Sequence, residues 1–303
     1  MPGRRPLLAA AAAAAAWALL LPAGPAAARC EDWTPQPRPQ NASRDVVGQS
    51  LDDIQARGWI DFAVYEAFPP WSWEEDGAPK GVDVELGRII AADLGVEPRF
   101  TFVAAGETLD DDLRNHVWKG PVVNGRASNV MLHVPYDSDY ACRVDQVVFA
   151  GRYFTETLAI AYAEAEYPDG GPVPAYFRFD PVAVENDSLA DFHLSSIGNG
   201  ALQGNIRRYA STPAAMEALA RGEVKAAMGP LHELEWGLVP GLAVHSPPLP
   251  GLARGTWTLG VAVRQSWRPL GYAVDDAVRA AVEDGRLAAV FEAYGLSWTP
   301  PAD

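Results

Sequence analysis

Residues 61–95 read DFAVYEAFPPWSWEEDGAPKGVDVELGRIIAADLG, and this stretch decides the fold. Phe62, Val64 and Tyr65 form a short β-favouring run that stops at Pro69-Pro70, which cannot continue a hydrogen-bonded ladder. Gly77, Pro79 and Gly81 mark a turn. Val82, Leu86, Ile89, Ile90 and Leu94 then recur at helical period on one apolar face, and Gly95 ends the helix. A strand, a loop and an amphipathic helix make a βα unit of an α/β protein. Phe68, Trp71 and Trp73 are more aromatic surface than an ordinary connection carries. Placed at the carboxyl end of a strand, they are suited to wall a ligand crevice.

Working outward, the amino end holds Arg4 and Arg5 before an apolar run from Leu7 to Leu21, with a small-residue site at Ala26-Ala27-Ala28. That pattern reads as a secretory signal peptide over residues 1–28, its apolar run short for a membrane span. The paired arginines also suit twin-arginine export, and the sequence does not separate the two routes. The protein is therefore expected in the periplasm, as a monomer. The chain carries a formal net charge of −15. Such an acidic surface speaks against nucleic acid and anionic membrane as partners and suits a cationic or neutral ligand, a basic protein partner or simply a solvated face that keeps the protein soluble. Cys30 and Cys142 are the two cysteines, and an exported protein allows them to pair. A bridge across so long a loop would stabilise by roughly 4–5 kcal/mol in the chain-entropy model. Two unpaired thiols are the alternative.

Residues 29–47 are proline-rich and unpatterned, an extended arm. Thereafter strands and helices alternate: strands over Arg99–Val103, Ser128–Val134, Thr155–Tyr162, Glu223–Met228 and Thr256–Val263, with helices between them. Thr108 is placed to cap a helix whose first turn holds Asp110, Asp111 and Asp112, acids that suit the positive end of a helix dipole. Hard-metal loops space their ligands alternately, so the helix reading is preferred to a metal site. His116 and His133 read as hydrogen-bonded edge histidines.

Several motifs in order resemble one family. Pro69-Pro70-Trp71-Ser72-Trp73 followed by Gly81-Val82-Asp83-Val84-Glu85-Leu86 is similar to the opening of family 3 extracellular solute-binding proteins. Arg143, with Val147, Phe149 and Tyr153-Phe154 at matching offsets, resembles that family's next signature, in which the arginine holds a ligand carboxylate through its planar fork. Tyr140 and Ala150 replace the threonine and serine usual there. Pro181–Ala190 resembles the segment where a helix start meets the ligand, with Ser188 as donor and Asp187 in place of a glycine. After Glu223–Met228 an amino-acid binder carries an aspartate for the ligand's ammonium, and this chain has Gly229-Pro230, with Glu233 and Glu235 as substitutes at a different spacing. AVEDGRLAAVFEAYGLSW, from Ala281 to Trp298, resembles the family's close.

The resemblance, spanning Gly48 to Trp298, implies an α/β, two-lobed periplasmic-binding-protein type II fold with its ligand cleft between lobes. Residues 48–150 with 250–303 would form lobe 1, and 151–249 an inserted lobe 2. Crossing segments near Ala150–Thr155 and Ser246–Gly255 would act as the hinge. The implied function is capture of a small polar solute by hinge closure for an ABC permease, without cofactor or covalent chemistry. Phe68, Trp71, Trp73, Arg143 and Ser188 would line the cleft. Two alternatives use the same fold. The stretches at Asp111–Asn115, Val117–Gly120 and Val130–Asp137 resemble accessory proteins serving a periplasmic quinoprotein (alcohol) dehydrogenase. Periplasmic dehydratases of the cyclohexadienyl type are the other, and no catalytic constellation of that kind is recognisable here.

Overall fold

A computed structural model describes residues 48–121 and 125–301. The segments read as signal peptide and arm lie outside the described residues, as does Cys30; Cys142 is not a free thiol. In chain order the elements are α1 (Leu51–Arg57), β1 (Trp59–Tyr65), β2 (Trp73–Glu75), β3 (Ala78–Lys80), α2 (Val82–Asp93), β4 (Glu97–Val103) and α3 (Leu109–Leu113). They continue with β5 (Val130–Pro135), α4 (Ser138–Ala141), β6 (Val147–Ala163), β7 (Val182–Glu185), α5 (Leu189–Ser196), β8 (Ile206–Tyr209) and α6 (Thr212–Ala220). The last are β9 (Ala226–Pro230), α7 (Leu231–Trp236), β10 (Leu242–His245), β11 (Thr256–Arg264), α8 (Arg268–Glu283) and α9 (Arg286–Ala293).

Nine strands form one sheet in the order β4-β1-β5-β11-β6-β9-β7-β8, with β10 also on β6. The neighbours β1–β4, β1–β5, β7–β8 and β7–β9 are parallel, each reached through a helical crossover. The antiparallel pairs all involve β6 or β11. Strand β6 pairs with β11 from Val147 to Thr157, then with β9 from Leu158 to Tyr162. The first crossing segment, expected as a connection near Ala150–Thr155, is therefore the interior of a 17-residue strand. Alternating Val, Phe, Tyr and Ile residues with no proline let it run on unbroken.

The first half of the sheet is packed on both faces. One face joins Phe62, Val64 and Trp71 to Leu86 and Ile90 of α2, and to Val274 and Phe291 of the carboxyl-terminal helices. The other joins Ala63, Met131 and Phe149 to Leu113 and Val117. The second half has its own two clusters, centred on Ile160 with Val184 and on Ala227 with Met216. Helix α2 begins at Gly81, with φ of 121°, where a Cβ would lie 2.1 Å from the Trp71 carbonyl oxygen. Only glycine lets the helix start press this closely on the aromatic loop. Ser50, Thr108, Ser188 and Ser211 cap the helices that follow them, each accepting from a backbone amide in the first turn.

Phe291 ties these layers together: it is fully buried, with ring centroids 5.2 Å from Phe154, 5.5 Å from His232 and 6.0 Å from Trp71. Phe291→Ala should therefore cost about 3–5 kcal/mol, read as a lower urea midpoint at unchanged m-value. A loss below about 1 kcal/mol would show that the cluster is not integral to the fold.

Candidate functional site

Residues at the carboxyl ends of β1, β5 and β7, namely Tyr65, Pro135 and Glu185, border one cavity of about 500 Å³ between the two halves of the sheet. Phe68 and His133 close it from the first half, and Ser211, Pro213 and Glu233 from the second. Crevices beyond the carboxyl ends of parallel strands are the customary ligand positions in open α/β sheets.

His133 sits in the wall with φ of 59°, an unusual backbone for a side chain of this size. Its ring is wedged between Phe68 at 5.1 Å and Trp71 at 4.8 Å. Nδ1 lies 3.0 Å from Oδ2 of the fully buried Asp83, and Oδ1 of Asp83 accepts from the Tyr153 hydroxyl at 2.7 Å. Asp83 Oδ2 has no well-aligned hydrogen-bond donor, so its contact with His133 is electrostatic. Burial, then the Asp83 charge, hold the Tyr153 phenol protonated far above its usual range. Asp83, the first acidic position of the G-V-D-V-E-L motif, thus orients a wall residue, a role its spacing alone did not announce.

Carboxylates dominate the remaining polar wall: Glu66, Glu107, Asp112, Glu185 and Glu233 line the cavity, and among the described residues no lysine or arginine does. Asp112 accepts from the Tyr65 hydroxyl at 2.7 Å and the Gly106 amide at 2.7 Å. Glu185 Oε2 accepts from the Thr212 amide at 3.0 Å and the Thr212 hydroxyl at 2.9 Å. Glu233 is 5% exposed. Burial and the neighbouring Glu185 charge push its carboxyl up to about 8, against weaker opposing contributions from Thr212 and Trp71. Glu235, the other acid considered for this role, instead accepts from the Ser297 amide at 2.9 Å.

Beneath Glu233, His232 joins the halves. Nδ1 lies 2.9 Å from both Glu156 carboxylate oxygens, and Nε2 lies 2.9 Å from the Ser297 carbonyl. A ring that faces an acceptor at each nitrogen donates to both only as imidazolium. Burial lowers its pKa, but the Glu156 bonds and charge outweigh burial and leave it raised.

The structure brings only part of the expected set together. Phe68 lines the cavity. Trp71 is instead wholly buried, stacked on Phe154 at 4.9 Å, because the helix start at Gly81 folds the loop back onto the core. Trp73 packs on Trp236 at 5.4 Å and Tyr294 at 5.9 Å, and borders a separate, more open cavity of about 890 Å³. That cavity draws one residue, Trp236, from the second half. Arg143 is exposed, its Nε donating to the Asp139 carbonyl at 3.2 Å, and it does not border the cleft. Ser188 caps α5 by accepting from the Asp191 amide and likewise stands outside the cavity wall. Asp110, Asp111 and Asp112 are engaged separately, by Tyr140, by Thr108, and by Tyr65 with Gly106.

Among known proteins, the model of bacterial extracellular solute-binding proteins, family 3, matches residues 60–297. An ancestral cationic amino acid solute-binding protein superposes with a TM-score of 0.67 at 17% identity, over 81% of this chain and 99% of that one. An amino acid ABC transporter substrate-binding protein from Streptococcus pneumoniae, bound to L-arginine, gives 0.59 at 15% identity, over 82% and 98%. An ancestral amino-acid-binding protein described as a precursor of cyclohexadienyl dehydratase gives 0.57 at 18% identity, over 81% and 98%. At these identities the likeness is one of fold. No curated protein matches in sequence.

The two titrating groups make stability fall with rising pH. Glu233 binds its proton in the folded state up to about 8, against 4.5 for the free group, so its contribution is lost between those values. His232, raised above 6.5, contributes fully below that pH and loses its share as pH rises through the raised value. The melting temperature of the wild type should fall relative to that of Glu233→Gln as pH rises across about 4.5–8. An unchanged profile in Glu233→Gln would remove Glu233 from this account.

Proposed function

Because the chain belongs to the family 3 bacterial extracellular solute-binding proteins, we propose that it captures a small polar solute reversibly between two lobes and delivers it to an ABC permease. The fold is the type II periplasmic-binding-protein arrangement, and the family points to a periplasmic location. The cavity whose walls come from both halves of the sheet carries this reading. A solute there touches both halves at once, so its binding energy draws them together. Strands β6 and β11, the antiparallel pair between the halves, are the proposed hinge. Their pairing lets the lobes tilt by strand bending without losing the sheet.

A dehydratase reading has one observation in its favour, the Glu233 carboxyl held protonated near neutral pH, as a general acid requires. The cleft's own charge opposes it: diacids of the prephenate kind need cationic contacts, and the described residues of the lining include no lysine or arginine.

A thermal-shift screen against amino acids, amines, organic acids and sugars tests capture. A solute at one hundred times its Kd should stabilise the protein by about 2.7 kcal/mol, and the mass of the recovered solute should be unchanged. Silence across the panel overturns capture, and turnover of an offered acid would establish the dehydratase reading instead.

A further inference from the structure

The cleft has an acidic wall, and among the described residues the helix-start amides beside it are engaged within the protein. Family-type capture of an amino acid needs a place for the α-carboxylate: an arginine fork, a helix start or a set of turn amides. Several such places near this cleft are already filled by the protein's own side chains. Helix α6 begins at the cavity, where Ser211 and Pro213 line it, but its Thr212 amide and hydroxyl both donate to Glu185. The Ala214 amide in the same turn donates to Ser211 Oγ. On the α3 side, the Gly106 amide is taken by Asp112 and the Asp111 amide by Thr108.

Two arginines of the segments that resemble the family's ligand contacts are unavailable as well. Arg143 stands outside the cleft. Arg208 forks onto Asp191, with Nε 2.7 Å from Oδ2 and Nη2 2.8 Å from Oδ1. Asp191 Oδ2 also accepts from the Asp187 amide, so the turn before α5 closes on an internal carboxylate.

The need for positive charge is independent of that accounting. Glu233 is more than nine-tenths buried on the cavity wall, and Glu185 stands close enough to act on its charge. Neither makes an ion pair among the described residues. Buried beside the half-buried Glu185 and without a counter-ion, Glu233 keeps its proton in the empty cleft, and a cation entering the cavity takes that proton's place. Tyr65 and Phe68, 6.0 Å apart and edge-to-face, add aromatic wall against which an alkyl or ammonium group packs.

We infer that the captured solute is an organic cation that lacks a carboxylate, an amine or guanidine whose charge is met by Glu233 and Glu185 with Glu66 at the rim. This inference rests on the solute-binding reading and narrows it.

Paired titrations test it with compounds that differ by the carboxylate alone: agmatine against arginine and cadaverine against lysine, by calorimetry on the full exported chain. At least one amine should bind, tenfold or more tighter than its amino acid. Glu233→Gln should weaken that amine tenfold or more. Glu66→Gln, an exposed rim position with no partner to lose in the fold, should weaken it severalfold at an unchanged melting temperature. An amino acid that binds as tightly as its amine overturns the inference and leaves solute capture standing. No binding by any of the four overturns the inference too, and the broader thermal screen then decides whether capture falls with it.

Discussion

The antiparallel pairing of β6 with β11 is the constraint on which the rest of this molecule depends. Strand β6 is shared: its first eleven or so residues belong to one half of the sheet and its last to the other, with the partner change at Thr157–Leu158. Each half buries helices on both faces, so neither half slides against the other without breaking a ladder. What remains free is a bend of the shared strands. That bend is the coordinate along which the proposed hinge would open or close the cleft.

Around that pairing, contacts between the halves are concentrated on the short helix α7. Its His232 reaches Glu156 and the Ser297 carbonyl, and its Glu235 receives the Ser297 amide. Its Trp236 meets Trp73 and Tyr294. Glu233 occupies the one position between these clamps that faces the cavity. Its burial follows from how tightly the neighbouring residues are held. Its burial, with the Glu185 charge beside it, raises the carboxyl's proton affinity. A contact between the halves and a cavity-lining carboxyl thus share one helix of six residues.

Much of the fold was legible beforehand, for identifiable reasons. The helix from Val82 repeats its apolar residues at helical period, and the carboxyl-terminal helices do the same, with Asp284-Gly285 as their break. Thr108 and Ser188 act as the caps their positions suggest. The cleft was less legible. Phe68 was identified by its exposed place on a loop, yet Trp71 on the same loop is core, because loop curvature and not loop membership sets which ring faces inward. Arg143 keeps the motif offset and points elsewhere, since an offset places a residue along the chain and says nothing of where its side chain turns.

By itself, the sequence determined the alternation of strands and helices, the family to which the chain belongs and the acidity of its surface. These follow from local periodicity and composition, which act over a few residues at a time. Only the tertiary structure decided which acids gather at the cavity, that Glu185 fills the helix start where an anion would sit, and that Asp83 is spent on His133 and Tyr153. Those pairings join residues far apart in the chain, 27 positions for Glu185 with Thr212 and 70 for Asp83 with Tyr153. The distances that set their electrostatics exist only once the halves have packed.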